Sequence, residues 1–278
     1  MQQGTSQGRR RRVLVIGAHP DDCELKAGGS AAQWVKWGHE VRFVSATDGQ
    51  LGHHNAWGTD LAERRWAEAE AAGRALGVEY HVLEIPDGHI EANLLHRREF
   101  VYMIRAFEPD LVLTHRPNDY HPDHRQTAQL VQDAAYMVTV PGFEPEMPHL
   151  PRNPVFGHFH DRFTRPQPFR ADVAMPIDRA LPQLLEALHC HTSQMYEWLP
   201  VNRGLDSRNV PRDDAGRRSF LEAWYRQRVA DLADTYRDLL IKQFGPEHAA
   251  RISYIEPFEI SEYGSRLDAS LRHDLFAC

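Results

Sequence analysis

The stretch that decides the fold is Val13-Leu14-Val15-Ile16-Gly17-Ala18-His19-Pro20-Asp21-Asp22. Four apolar, mostly β-branched residues run without alternation and end in two small ones, as in a short strand buried on both faces of a sheet. From about 24 to 37 apolar residues are interspersed with polar ones at helical spacing, and Gly38 supplies the stop. The alternation then repeats. Strands are predicted at 41–46, 81–85 and 111–114, and helices at 60–76, 95–107 and 125–137, with Gly77 closing the alanine-rich second helix. Four strand–helix units in succession predict an α/β fold, Rossmann-like and doubly wound. Its sheet is mainly parallel, with helices on both faces and right-handed crossovers.

Beyond residue 140 the pattern loosens. Seven prolines between 141 and 168 predict a long extended connection. Residues 171–177 read as a fifth strand, followed by a helix to about 194, and 199–218 as a polar loop or lid. Phe220, Leu221, Trp224, Val229, Leu232, Tyr236, Leu239 and Leu240 fall near helical spacing and predict one long amphipathic helix packed on the core. The expected organisation is a single α/β domain over 12–195. Residues 196–278 form a C-terminal helical and irregular extension packed on it, and 1–11 a disordered tail.

Composition narrows the function classes. In 278 residues, 42% hydrophobic and 26% charged content excludes a disordered chain. The charge sum, 32 − 39 = −7, gives no overall basic character for gripping nucleic acid. Three cysteines, Cys23, Cys190 and Cys278, argue against a disulfide scaffold and for a reducing compartment. The apolar run after Arg9–Arg12 is too short for a signal peptide or a membrane span, so a cytoplasmic protein is expected. Association into a homo-oligomer is left open. The 17 histidines raise the question of a metal.

Two motifs answer it. In doubly wound sheets the reactive groups collect just beyond the C-terminal ends of the strands, and the first and fourth strands often flank the crevice. Gly17–Asp22 follows the first strand, and His121-Pro122-Asp123-His124 follows the fourth after a short polar loop. His19 and Asp22 are three apart at the start of a helix and can converge on one point; His121 and His124 share that spacing. Two histidines and one carboxylate form a catalytic zinc set with one position open to water, though the same donors suit Fe(II). With His19, Asp22 and His124 as ligands, Asp21 and His121 stay free beside the metal, and a free carboxylate there is what a hydrolase needs as a general base. Each motif alone is an ordinary turn or N-cap. Their placement at one sheet edge favours chemistry. No Gly-x-Gly-x-x-Gly follows the first strand, and the carboxylates in its place would repel a pyrophosphate.

The string Ala-His-Pro-Asp-Asp-Cys-Glu-Leu-Lys-Ala-Gly-Gly (Ala18 to Gly29), together with His121–His124, resembles the PIG-L/LmbE-like family of zinc-dependent N-deacetylases. The resemblance covers about residues 12 to 195, with supporting matches at Arg65-x-x-Glu68, Pro86-Asp87-Gly88 and His191-Thr192-Ser193-Gln194. It implies Zn2+ (or Fe2+ or another divalent metal) on His19, Asp22 and His124, with Asp21 as general base. It further implies that His121 stabilises the oxyanion and protonates the leaving amine, oriented by Asp123, and that Arg65, Asp119 and His191 line a sugar pocket. The implied reaction removes the acetyl group from a small-molecule N-acetylglucosamine-type sugar or glycoside. The alternatives are a metal hydrolase of another amide conjugate and a non-catalytic sugar- or nucleotide-binding module. Among the other histidines, His115 reads as a packing or surface residue, and Cys23 as a small buried filler.

Overall fold

A computed structural model describes residues 9–276. Strands β1 (Arg12–Gly17), β2 (Glu40–Ser45), β3 (Glu79–Val82) and β4 (Leu111–Thr114) alternate with helices α1 (Asp22–Lys36), α2 (Thr59–Leu76), α3 (Leu94–Phe107) and α4 (Pro122–Met137). All eight elements stand within three residues of the expected bounds; β3, expected at 81–85, starts two residues earlier and ends at Val82. Gly77, left-handed at φ 75°, caps α2, and Pro122 opens α4, where its missing N–H costs nothing.

Strand β5 (Val155–Phe159) was not legible; it lies inside the proline-rich stretch, between Pro154 and Pro166. Strands β6 (Val173–Pro176) and β7 (Ile255–Gly264) complete one seven-stranded sheet of order β3-β2-β1-β4-β5-β7-β6. The first five strands run parallel, with β1 paired to both β2 and β4; β7 is antiparallel to β5 and β6. Side chains of β1 alternate between two cores. Val13 and Val15 join the cluster under α1, while Leu14 and Ile16 join the one under α3 and α4. All four are fully buried, each worth about 1.5–3 kcal/mol on folding.

The C-terminal part departs from expectation in two ways. The single long helix is broken into Asp214–Val229, Leu232–Thr235 and Arg237–Phe244. Asp231, at the break, is held by the Arg162 guanidinium, which also reaches the Arg228 carbonyl. Helix α5 (Leu181–Cys190) stops before 194, and a π-helical turn, Ser193–Trp198, follows. The extension is also not wholly helical or irregular, since β7 lies inside the sheet. Phe258 of β7 packs 6.3 Å from the Trp34 ring of α1, whose indole N–H donates to the Leu275 carbonyl at 2.7 Å.

Of the expected N-terminal tail, residues 1–8 lie outside the described residues. Arg11 is not part of a tail: it is buried, and its guanidinium binds Asp110, Asp274 and Ser270. Among the described residues no helix is long and apolar enough to cross a membrane.

Candidate metal centre and its cavity

The C-terminal ends of β1 and β4 are adjacent, and the turns that leave them face one another. Gly17, at the end of β1, is needed as glycine, because a Cβ there would stand 2.6 Å from Cβ of Asp22. The turn folds back so that the backbone N–H groups of Ala18 and His19 donate to Oδ2 of Asp22, at 3.0 and 2.9 Å. Two amide donors hold that carboxylate in place; burial raises its pKa, yet His124, His115 and His19 hold it well below the usual carboxylate range. Oδ2 then lies 3.5 Å from both His19 Nδ1 and His124 Nε2. Ligands on the corners of a tetrahedral ion, at about 2.0–2.2 Å from it, stand roughly 3.3–3.6 Å apart, so each of these two spacings suits donors that share a divalent cation.

The electrostatics also favour a cation. Nε2 of His19 faces Asp87 at 3.2 Å and Asp123 at 3.3 Å, and Nδ1 of His124 lies 3.1 Å from Asp119, an approach too poorly angled for a hydrogen bond. Burial pulls the His19 pKa down, yet Asp123, Asp22 and Asp87 together raise it well above its ordinary value. His19 and His124 thus sit among a surplus of carboxylates.

Asp21 is the free carboxylate beside this set. Its φ of 139° is a conformation few non-glycine residues adopt, a strain of about 1–3 kcal/mol that places the side chain at the cavity floor. Burial pushes its pKa up to about 6, opposed by the Arg65 guanidinium, whose Nη2 lies 3.3 Å from Oδ1. Arg65 is itself 2% exposed and donates to the carbonyls of Pro20 and Gly49. Its partner is Asp21 rather than Glu68. Glu68 instead binds Arg64, Thr192 and Ser193.

His121 caps α4: its Nδ1 accepts from the Asp123 backbone N–H at 3.2 Å. A neutral ring with Nδ1 accepting carries its proton on Nε2, where it can be donated. Burial, with His19 and His124 nearby, lowers the His121 pKa. The expected orientation of His121 by the Asp123 side chain is therefore corrected. The Asp123 carboxylate accepts from Gly88 N–H at 2.7 Å and faces His19; it is the Asp123 amide that sets the tautomer.

The three expected pocket residues fare differently. Arg65 and Asp119 line a cavity of 750 Å³ together with His19, Asp21, Asp22, His121 and His124. Asp119 spends its carboxylate on the His121 amide and the His124 ring. His191 does not reach the cavity as expected. It is fully buried, with Nε2 2.9 Å from Glu24, and does not line the cavity.

Two participants were missed. His115 is buried against Asp22 at 3.2 Å and stacked on His124 with ring centres 4.0 Å apart. Its donor atom lies with those of Asp22 and His124 within 4.8 Å; the same holds for His19, His121 and His124, and for His19, Asp87 and Asp123, so the expected ligands are spread over adjoining donor sets. The Nε2 of His115 lies 3.1 Å from the Ala18 amide nitrogen and 3.2 Å from Asp22 Oδ2, so the ring packs against both Asp22 and His124. Its place directly after β4 was the available signal. Asp87, in the Pro86–Gly88 turn after β3, was read only as part of a turn; it faces His19. Cys23 is buried, its thiol held by the Val15 and Val44 carbonyls, as a filler would be.

Known proteins share parts of this sequence and fold. The PIG-L family, described as GlcNAc-PI de-N-acetylase, matches residues 14–135. This segment is similar to that family, and it carries both His/Asp motifs and most of the first four strand–helix units. The chain is 33% identical over 139 residues to the diacetylchitobiose deacetylase of Thermococcus kodakarensis, covering 48% of this chain and 52% of that protein. It is 26% identical over 217 residues to the 4-oxalmesaconate hydratase of Pseudomonas putida, covering 72% of this chain and 83% of that one. The N,N'-diacetylchitobiose deacetylase of Pyrococcus horikoshii superposes with a TM-score of 0.68 at 23% identity, over 90% of this chain and 84% of that one, a likeness of fold. The chain spans about half the length of the curated PIG-L-type deacetylases it matches.

Proposed function

We propose that the protein is a metal-dependent N-deacetylase acting on an N-acetylglucosamine-type sugar or glycoside. The observation that carries this reading is Asp21: a buried carboxylate, with its pKa pushed up to about 6, beside an Asp22 carboxylate that lies 3.5 Å from donor nitrogens of both His19 and His124. His19, Asp22 and His124 would hold the ion, taken as Zn2+ from the two-nitrogen, one-oxygen donor set. Bound there, zinc supplies Lewis acidity that brings the pKa of water from about 15.7 to about 7 and polarises the acetamide carbonyl.

The rest of the chemistry belongs to the chain. Asp21 accepts the proton of the attacking water at a carboxylate oxygen, and Arg65 keeps that carboxylate aimed and ionised. His121 donates its Nε2–H to the developing oxyanion, a contact worth about 3–4 kcal/mol in comparable sites. The proton held on Asp21 passes to the amine, since an amide nitrogen cannot leave as an anion. Arg65 and Asp119 act on the substrate through the groups they hold. The buried, free Cys23 thiol accords with a cytoplasmic setting.

One observation favours a second reading. A relative matched over the greater part of both chains is a hydratase, and the same base and donor could add water to a carbon–carbon double bond. The deciding experiment measures acetate released from N,N'-diacetylchitobiose and N-acetylglucosamine, and hydration of 4-oxalmesaconate, before and after chelation and zinc re-addition. Zinc-restored acetate release supports the deacetylase. Hydration with no acetate from either sugar overturns it.

A further inference from the structure

The cavity carries more positive charge than the chemistry above uses. Lys26, Arg203 and Arg228 all line it, and among the described residues none of them forms an ion pair. Lys26 follows Asp22 by four residues on α1, so it stands on the same helix face as that ligand; its ammonium donates to the His160 carbonyl at 3.0 Å. The guanidinium carbons of Arg203 and Arg228 lie 4.6 and 5.7 Å from the centre of one ring, Trp224. The other charged groups of the wall are already matched. Arg162 pairs with Asp231, Asp161 with Arg116, and Glu256 receives Gly29 and Ser30. In a chain of net charge −7, three unmatched cations around one cavity are not a product of average composition.

A second, independent observation points to a ligand. Tyr225 is fully buried, lines the same cavity, and its hydroxyl has no hydrogen-bond partner. It precedes Arg228 by three residues on the helix Asp214–Val229, so the two share a face. Burial, and repulsion from Arg228, lower the pKa of both Lys26 and Arg203, and for Lys26 the attraction of Asp22, Asp119 and Asp161 only partly offsets this, a cost that a bound anion would relieve. Two guanidinium forks and an ammonium suit an oxyanion, phosphate or carboxylate.

We propose that Lys26, Arg203, Arg228 and the Tyr225 hydroxyl bind an oxyanion carried by the acetamido substrate, so that the preferred substrate is an anionic N-acetylated sugar rather than a neutral one. The inference rests on reading this cavity as the deacetylation site.

The test is calorimetric binding of N-acetylglucosamine 6-phosphate, N-acetylmuramic acid and neutral N-acetylglucosamine to the zinc-loaded protein, with acetate release followed separately. At least one of the two anionic sugars should bind about tenfold tighter than the neutral one, and which of them does distinguishes phosphate from carboxylate. The preference should fall to near unity in Arg228→Met and in Arg203→Met, and be partly kept in Arg228→Lys, with thermal unfolding confirming that each variant is folded. Equal binding of all three sugars, or a preference that survives both methionine variants, overturns the proposal. Acetate release without an anion preference overturns it and leaves the deacetylase reading standing. A preference abolished by the variants, with no acetate from any sugar, supports the anion site and overturns the deacetylase.

Discussion

At the residue scale, the decisive group is Asp21. Asp21→Asn keeps the shape and removes the base, so it should lower kcat by about 10²–10⁴-fold, with zinc content by elemental analysis unchanged. An Asn variant that keeps both zinc and full activity would sink the assignment. The pH dependence follows in sign. The base acts when ionised, so kcat/KM falls on the acid side of its pKa, tenfold per pH unit. With the pKa pushed up to about 6, and a bound cation lowering it, the acid limb should lie at or below about pH 6. A limb clearly above pH 7 contradicts this. His19, Asp22, His121 and His124 were legible as a cluster because two motifs, each ordinary alone, follow the strands expected to flank one crevice. Their partners were not. Nothing local distinguishes His115 from a packing histidine until β1 and β4 are side by side.

At the element scale, the loop after β2 holds the base through Arg65. Gly49 has φ +70°, and a Cβ there would lie 2.5 Å from Nη1 of Arg65. Gly38, after α1, has φ +87° but nothing within 4 Å. Both Gly→Ala changes should cost stability, about 1–2 kcal/mol from the left-handed backbone. Only Gly49→Ala also displaces the guanidinium from Asp21, and it alone should reduce kcat, by tenfold or more. Denaturant unfolding alongside steady-state kinetics separates the two, and equal kinetic effects would refute the link. The regular alternation that predicts α1 to α4 fails after residue 190. There the spacing of Phe220 to Leu240 fits one helix, but the Arg162–Asp231 pair at the break belongs to tertiary contact.

At the scale of the whole molecule, Glu256 ties the last strand to the helix that carries the metal motif. Its carboxylate receives the Gly29 and Ser30 amides and the Ser30 hydroxyl, yet burial outweighs these donors and raises its pKa to about 7. An acid whose folded pKa is raised binds more protons folded than unfolded between about 4.5 and 7. Its contribution to stability therefore declines as pH rises through that window and is lowest above about 7. Glu256→Gln removes this titration, so the variant should gain on the wild type between pH 5 and 8, by about 2–3 kcal/mol at most. Urea midpoints at several pH values check it. A constant difference across that range would show that Glu256 does not titrate there.

The sequence by itself determined the parallel α/β half of the sheet and the two motifs at its edge, because periodicity, glycine stops and His/Asp spacing are local properties. Tertiary structure alone decided the insertion of β7 between β5 and β6, the pairing of Asp21 with Arg65, the burial of His191 and the unmatched cations of the cavity wall. Each of these depends on which distant segments share a surface, where burial and charge are set by neighbours that no local pattern encodes.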